Sequence, residues 1–387
     1  MIALLAACAP APLVPVLGDP VQLVPGPGLP SEIVPQNANN NLDVVEHDGR
    51  VFLAFRSAPT HFADAEVDLW VMSSEDLVEW RFEGHFYYAR DLREPQLVSF
   101  GGELHLFFAT LGTNSLDFEP GTPLHALYVS PGDWTTPGPV FSRGFIPWRI
   151  KVVGDEMQVT GYDGGENVYE LGEREPIQIR WLRSTDGLDW TPVVPGQPIV
   201  LEGGGSETDV EWLEDGSIVA VVRNEAGDDR GFGSFICTAP ADDPGTWTCD
   251  TDARKYDSPL LFQHAGEVWL LARRNLTDDG AYDLGIDGLS PQQAYLQYQA
   301  AYWGQPKRCS LWRVDPATRT VELAGDLDSK GDTCFPEILK HGVTFQVFNY
   351  TSDLAIPGEP SWIEGQVGPT TIVVQELELV RPRFEDR

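Results

Sequence analysis

The sequence predicts an all-β fold, a six-bladed β-propeller built from four-stranded antiparallel blades, and three observations carry that expectation. A glycine-bearing turn recurs six times between apolar or mixed runs, at Gly49, Gly102, Gly154, Gly216, Gly266 and Gly342. Most of these turns lie about fifty to sixty residues apart, a period typical of arrays in which one supersecondary element repeats. The 38 glycines, 31 prolines and 12 tryptophans, with few long helical patterns, fit many short strands joined by turns.

Taken in order, the chain opens with MIALLAAC, a short apolar stretch ending at Cys8. It resembles the lipobox of bacterial lipoproteins, which implies a lipidated Cys8 and a membrane tether. Residues 1–18 are therefore read as a lipoprotein-type signal and a Pro-rich tether, and 19–387 as one domain outside the cytoplasm, expected to be monomeric. Pro20 to Val24 is placed as the outer strand of the last blade, whose own segment 336–377 is one strand short. That pairing closes the ring and removes exposed edges.

Each repeat then begins with a hairpin. VVEHDGRVFLAFR surrounds Gly49, PQLVSFGGELHLFFA Gly102, and WRIKVVGDEMQVT Gly154. ETDVEWLEDGSIVAVVR surrounds Gly216, PLLFQHAGEVWLLAR Gly266, and EILKHGVTFQVFNY Gly342. A hairpin returns to where it began, so its first and last residues share one rim. Counting sixteen residues back from each closing residue pairs Asn40 with Arg56, Glu94 with Thr110, Glu207 with Arg223, Asp257 with Arg273, and Cys334 with Tyr350. Acids, arginines and a tyrosine thus gather at one end.

A second strand pair follows each hairpin. In the first repeat Val67–Met72 leads into Ser74-Glu75-Asp76-Leu77-Val78-Glu79-Trp80. In the third Ile177–Leu182 leads into Ser184-Thr185-Asp186-Gly187-Leu188-Asp189-Trp190. An Asp in such a turn bonds its own backbone, and the Trp fills the gap between sheets. The long insertion 275–307 contains Ser290-Pro291 before QQAYLQYQAAYW, an N-cap, a Pro at the first turn and a helix standing on the acidic rim. Its aromatics suit either a sugar face or a cover for the central cavity.

Four cysteines remain beyond Cys8. Cys237 and Cys249 flank a Pro-Gly turn and are expected to bridge a hairpin, which leaves Cys309 to pair with Cys334. Both bonds require an oxidising compartment. The spacings do not match a zinc site, and no metal or cofactor is expected. The net charge of −33 excludes nucleic acid as a partner and gives no attraction to anionic membranes.

With these residues in view, the chain resembles the sialidase superfamily, six-bladed propellers with S-x-D-x-G-x-T-W turns, of which the two turns above are shorter versions. Ser206-Glu207-Thr208, Asp215-Gly216 and Arg223 are similar to the family's central motif. The resemblance implies that Glu207 activates a nucleophile and that Arg223 binds a substrate carboxylate. It further implies Arg308 as a third arginine, with Arg273 and Arg274 as stand-ins, and Asp64, near His61, as acid/base. Arg56 replaces an arginine missing before the first inner strand, where Asn37-Ala38-Asn39-Asn40-Asn41 stands. Phe335 occupies the place of the nucleophilic tyrosine, so Tyr350 is the substitute. Arg93-Glu94-Pro95 resembles the Arg-Asp-Pro element of five-bladed glycosidases, which adds Glu94. Two functions are implied: a sialidase-like glycoside hydrolase acting on an acidic glycan, sialic acid among the candidates, or a propeller that binds glycan or protein without turnover.

Overall fold

The computed structural model describes residues 11–116, 118–164 and 175–382. Cys8 and the apolar stretch before it lie outside the described residues.

The repeated turns form as the sequence predicts. Gly49, Gly102, Gly154, Gly216, Gly266 and Gly342 all adopt positive φ, from +64° to +85°, which explains why glycine recurs there. Each joins two long antiparallel strands. Ala38–His47 pairs with Arg50–Ala58, Leu92–Phe100 with Glu103–Thr110, Ile146–Val153 with Glu156–Asp163, Gly205–Trp212 with Ile218–Asn224, Asp257–His264 with Glu267–Asn275, and Glu337–His341 with Thr344–Ser352. Third and fourth strands extend each hairpin outward, so sheets such as Gly205–Asp252 and Asp257–Asp326 hold four antiparallel strands. The first and last units touch through one parallel bridge, Thr370 to Ala38.

The last unit is completed from the N-terminal side. Val21–Val24 pairs with Thr370–Val380, as expected, and so does Val14–Leu17, a segment assigned by sequence to the tether. The period-2 run TTIVVQELELV offers a long strand edge, and both segments use it.

Adjacent sheets pack apolar face to face. Phe52, Val71 and Leu69 of the first unit meet Leu97, Leu106 and Phe108 of the second, all essentially buried. The two Ser-x-Asp turns share one bonding pattern. Asp76 accepts from Val78 N and Glu79 N at 2.8 and 3.0 Å, and Asp186 accepts from Leu188 N and Asp189 N at 2.9 Å each. Trp190 then packs on Phe107 and Phe141 of the preceding unit.

Side chains of the innermost strands also tie one unit to the next. Asp43 accepts from Leu97 N, Gln96 Oε1 from Ile150 N at 3.1 Å, and Asp209 Oδ2 from Leu261 N at 2.6 Å. Cys237–Cys249 bridges directly opposed residues on neighbouring strands, and Cys309–Cys334 staples the fifth unit to the sixth. No helix among the described residues is long and apolar enough to cross a membrane.

Candidate functional site

In five of the six hairpins the pairing of the innermost strand slips near its first residues. The register shifts between Asn40 and Leu42, Arg93 and Gln96, Pro147 and Arg149, Gly205 and Thr208, and Asp257 and Leu260. Asn41, Glu94 and Ser258 take positive φ at these bulges, and Cys334 does so before the sixth inner strand. A bulge inserts a residue that turns out of the pleat and re-aims its neighbours. Here the bulges turn polar side chains toward one end of the strands.

Arg223, closing the fourth hairpin, binds three carboxylates. It pairs with Glu207 and with Glu225, and its Nε lies 2.9 Å from Asp257 Oδ1. Glu207 Oε2 also accepts from Ser258 N at 2.6 Å. Lys255 approaches Glu225 at 2.8 Å. Asp257 receives Arg273 Nη1 at 3.3 Å and the hydroxyl of Tyr302. Arg273 continues the chain: Nε donates to Thr333 O at 2.6 Å and Nη2 to the Tyr350 hydroxyl at 3.3 Å. That hydroxyl donates to Asp332 Oδ1 at 2.9 Å, and Asp332 Oδ2 lies 2.7 Å from His61 Nδ1.

The remaining arc comes from the first and second units. Arg56, fully buried, donates from Nε to Asp91 at 2.8 Å, from Nη1 to Asn40 and Thr60 O, and from Nη2 to Phe62 O. Arg93 binds the other oxygen of Asp91 at 2.5 Å. Glu94 accepts from Asn41 Nδ2 at 3.1 Å. Among the described residues, the third unit contributes Tyr162, whose phenol is held protonated by burial and by the nearby Glu207.

Burial sets the protonation of the two central acids. It pushes the Glu94 carboxyl up to about 7, helped by repulsion from Glu207. Glu207 is also raised, by burial and then by Asp257, with Arg223 acting in the opposite sense. Asp257 goes the other way. Burial would raise it, but Lys255, Arg223 and Arg273 together hold it well below the usual carboxylate range. Burial lowers His61 despite its Asp332 partner. Asp332 itself is lowered: burial would raise it, but His61, Arg273 and the Tyr350 hydroxyl together outweigh that.

The structure therefore brings Glu207, Arg223, Glu94, Arg56 and Tyr350 into one network, with His61. Two expected members bond elsewhere. Arg308 grips Glu359 with both Nη atoms, at 2.7 and 2.8 Å, on the outer side of its strand. Arg273 fills the inner position instead, because alternation sends neighbours to opposite faces, and Arg274 accordingly turns out to Asp326. Asp64 caps its own loop by accepting from Glu66 N at 2.8 Å, whereas His61 in that loop turns inward. Asp91, Lys255, Glu225, Asp332 and Tyr302 were not singled out from the sequence as site residues. They sit in connections between hairpins, where no period marks them; Tyr302 was signalled as one of the aromatics of the helix set over the rim.

Phe335 lies below the mouth, in the core against Trp148. The helix Pro291–Trp303 has its capping box at Ser290 and Gln293 and buries Tyr295, Tyr298 and Tyr302. It covers the network from above, and Gln299 donates to Glu225 at 3.1 Å. Among the described residues, no group of three or more His, Cys, Asp or Glu is placed to hold a metal ion.

No family model matches the sequence, and no curated protein matches it. Solved structures do resemble it. Trypanosoma rangeli sialidase in complex with sialic acid aligns at TM-score 0.56 and 12% identity, covering 88% of this chain and 54% of that one. A mutant of the same sialidase displaying trans-sialidase activity gives TM-score 0.57 and 13% identity over 88% and 54%. The complex of that sialidase with the inhibitor DANA gives 0.56 and 13% over 88% and 55%. The chain spans about half the length of these structures. Its fold resembles that of these sialidases.

Proposed function

We propose that the six antiparallel units are the six blades of one propeller and that the chain is a glycoside hydrolase working at their shared mouth. The observation that carries this reading is the pair Glu94 and Glu207. Glu207 is buried and Glu94 half-buried, they interact electrostatically, and Glu94 is held protonated up to about pH 7. Hydrolysis of a glycosidic bond needs one carboxylic acid and one carboxylate.

In this reading the Glu94 proton passes to the glycosidic oxygen as its bond to the anomeric carbon breaks. Glu207 takes a proton from water, whose oxygen bonds to that carbon. Arg223 holds Glu207 in place. Tyr350, buried and with its hydroxyl committed to Asp332, positions Arg273 and Asp332. Its phenol is raised well above its ordinary range, chiefly by burial and next by Asp332, which leaves it a poor nucleophile. Asp64 has no part in the chemistry. The two disulfides support a site of action in an oxidising compartment outside the cytoplasm.

The arginines at the mouth favour an acidic glycan, but each is already paired with a protein carboxylate. That closed network is the observation favouring the second reading, a propeller that binds without turnover. A screen of aryl glycosides, including a sialoside, with Glu207→Gln and Glu94→Gln as controls, separates the two. Turnover of no glycoside by the wild-type chain overturns the hydrolase.

A further inference from the structure

We infer that the sugar taken at this mouth carries no carboxylate: the site fits an uncharged oligosaccharide. The inference rests on the mouth proposed above as the ligand site, and not on catalysis there. Recognition of a sugar carboxylate requires guanidinium N–H groups directed at the ligand, ideally as a fork. Here the protein's own acceptors hold those groups. Arg56 is fully buried, with Asp91, Asn40, Thr60 O and Phe62 O on its three nitrogens. Arg223 faces a carboxylate from each of its nitrogens. Arg273 is held by Thr333 O, Asp257 and Tyr350.

The charge balance agrees. With Glu94 protonated, the acids of the network match its cations, and the whole chain carries −33. Among the described residues of the network an incoming carboxylate would meet no surplus positive charge, and it would have to displace a buried ion pair, which is strongly unfavourable. Hydroxyl groups need only single acceptors and donors, which Glu207 and Glu94 at the mouth provide.

An aromatic platform stands beside the network. Arg273 lies 5.9 Å from the ring of Trp362, and Trp362 stacks on Trp303 with centroids 6.1 Å apart and planes 22° from parallel. Trp303 remains 38% exposed. Such a ring suits the apolar C–H face of a neighbouring uncharged sugar. The helix tyrosines are turned inward, so this tryptophan is the face left for a ligand.

The test is a glycan array probed with the full-length Glu94→Gln chain, which removes the acid without changing the charge of the network, followed by titration of the hits. The expected result is binding confined to uncharged oligosaccharides, at least tenfold tighter than the same glycans capped with sialic or uronic acid. Trp303→Ala should weaken the oligosaccharides about tenfold and leave monosaccharides unchanged. Hits that require a carboxylate, or an array without uncharged hits, overturn the inference. Uncharged hits that the wild-type chain does not cleave support it while sinking the hydrolase, so the two fail separately.

Discussion

Phe335 meets Trp148 edge-on, with ring centroids 5.1 Å apart and planes at 62°. The two residues belong to the sixth and third units, so this contact joins units far apart along the chain. Arg149 makes the same link, donating to Pro259 O at 3.3 Å and Pro336 O at 2.9 Å, with its guanidinium 5.5 Å from the Phe335 ring. The residue standing where the resembling family places its attacking phenol is thus a wedge beneath the floor of the mouth. Phe335→Tyr should not create or increase glycosidase activity. It adds a hydroxyl to a packed apolar contact and should cost about 1–3 kcal/mol, readable as a lowered denaturation midpoint. A gain in turnover would show that this position reaches substrate.

Glu207→Gln keeps the shape of the carboxylate and removes its basicity. Turnover is expected to fall by about 10²–10⁴-fold, the usual contribution of general base catalysis, with ligand affinity largely retained. A variant that keeps wild-type kcat would remove Glu207 from the chemistry.

The pH profile follows from the two raised acids. Glu94 donates only while protonated, so kcat/KM should drop as pH rises through about 7. Glu207 accepts only while ionised, and its carboxyl is raised too, so activity should also fall on the acid side. The expected profile is a bell whose alkaline limb belongs to Glu94. Glu94→Gln should remove that limb along with most of the rate, and a limb that survives in the variant assigns it to another group.

Arg223 and Arg308 make a contrasting pair. Removing Arg223 strands Glu207, Glu225 and Asp257 together in a buried site, and Arg223→Ala should destabilise by about 3–5 kcal/mol. Arg308 pairs with the half-exposed Glu359 on the outside, and Arg308→Ala should cost under about 1 kcal/mol and leave turnover untouched. Equal thermal shifts in the two variants would contradict the burial on which the network rests.

Cys237 and Cys249 close a short loop across adjacent strands, with 12 residues of separation. Replacing both by serine should lower stability by about 3 kcal/mol, the loss expected when a loop of that size is no longer constrained in the unfolded chain. Chemical denaturation of the variant beside the wild-type chain measures it.

The hairpins were legible because a turn glycine and flanking apolar runs are local signals, repeated six times over. Asn40 opposite Arg56 and Asp257 opposite Arg273 followed from counting along those hairpins, and the strands pair them so. Arg273 was thus within reach of sequence reasoning, and strand parity decides it over Arg274. Asp91 and Asp332 were not, since each enters from a connection whose path depends on tertiary packing. Phe335 misled for a related reason: its place along the chain matches a mouth residue, but the backbone turns at Cys334, whose φ is +82°, and directs the ring downward.

That same turn in the backbone, repeated at Asn41, Glu94 and Ser258, has a consequence for how such a molecule changes over time. The inserted residue stands above the last regular rungs of its ladder, so exchanging its side chain leaves the rungs below in register. The scaffold and the chemistry are then written on separate stretches of the same strand. One unit can trade an asparagine for a glutamate at the opening while its buried lower half goes on packing against its neighbours. An array of units built this way can be re-equipped one position at a time while its architecture stays recognisable.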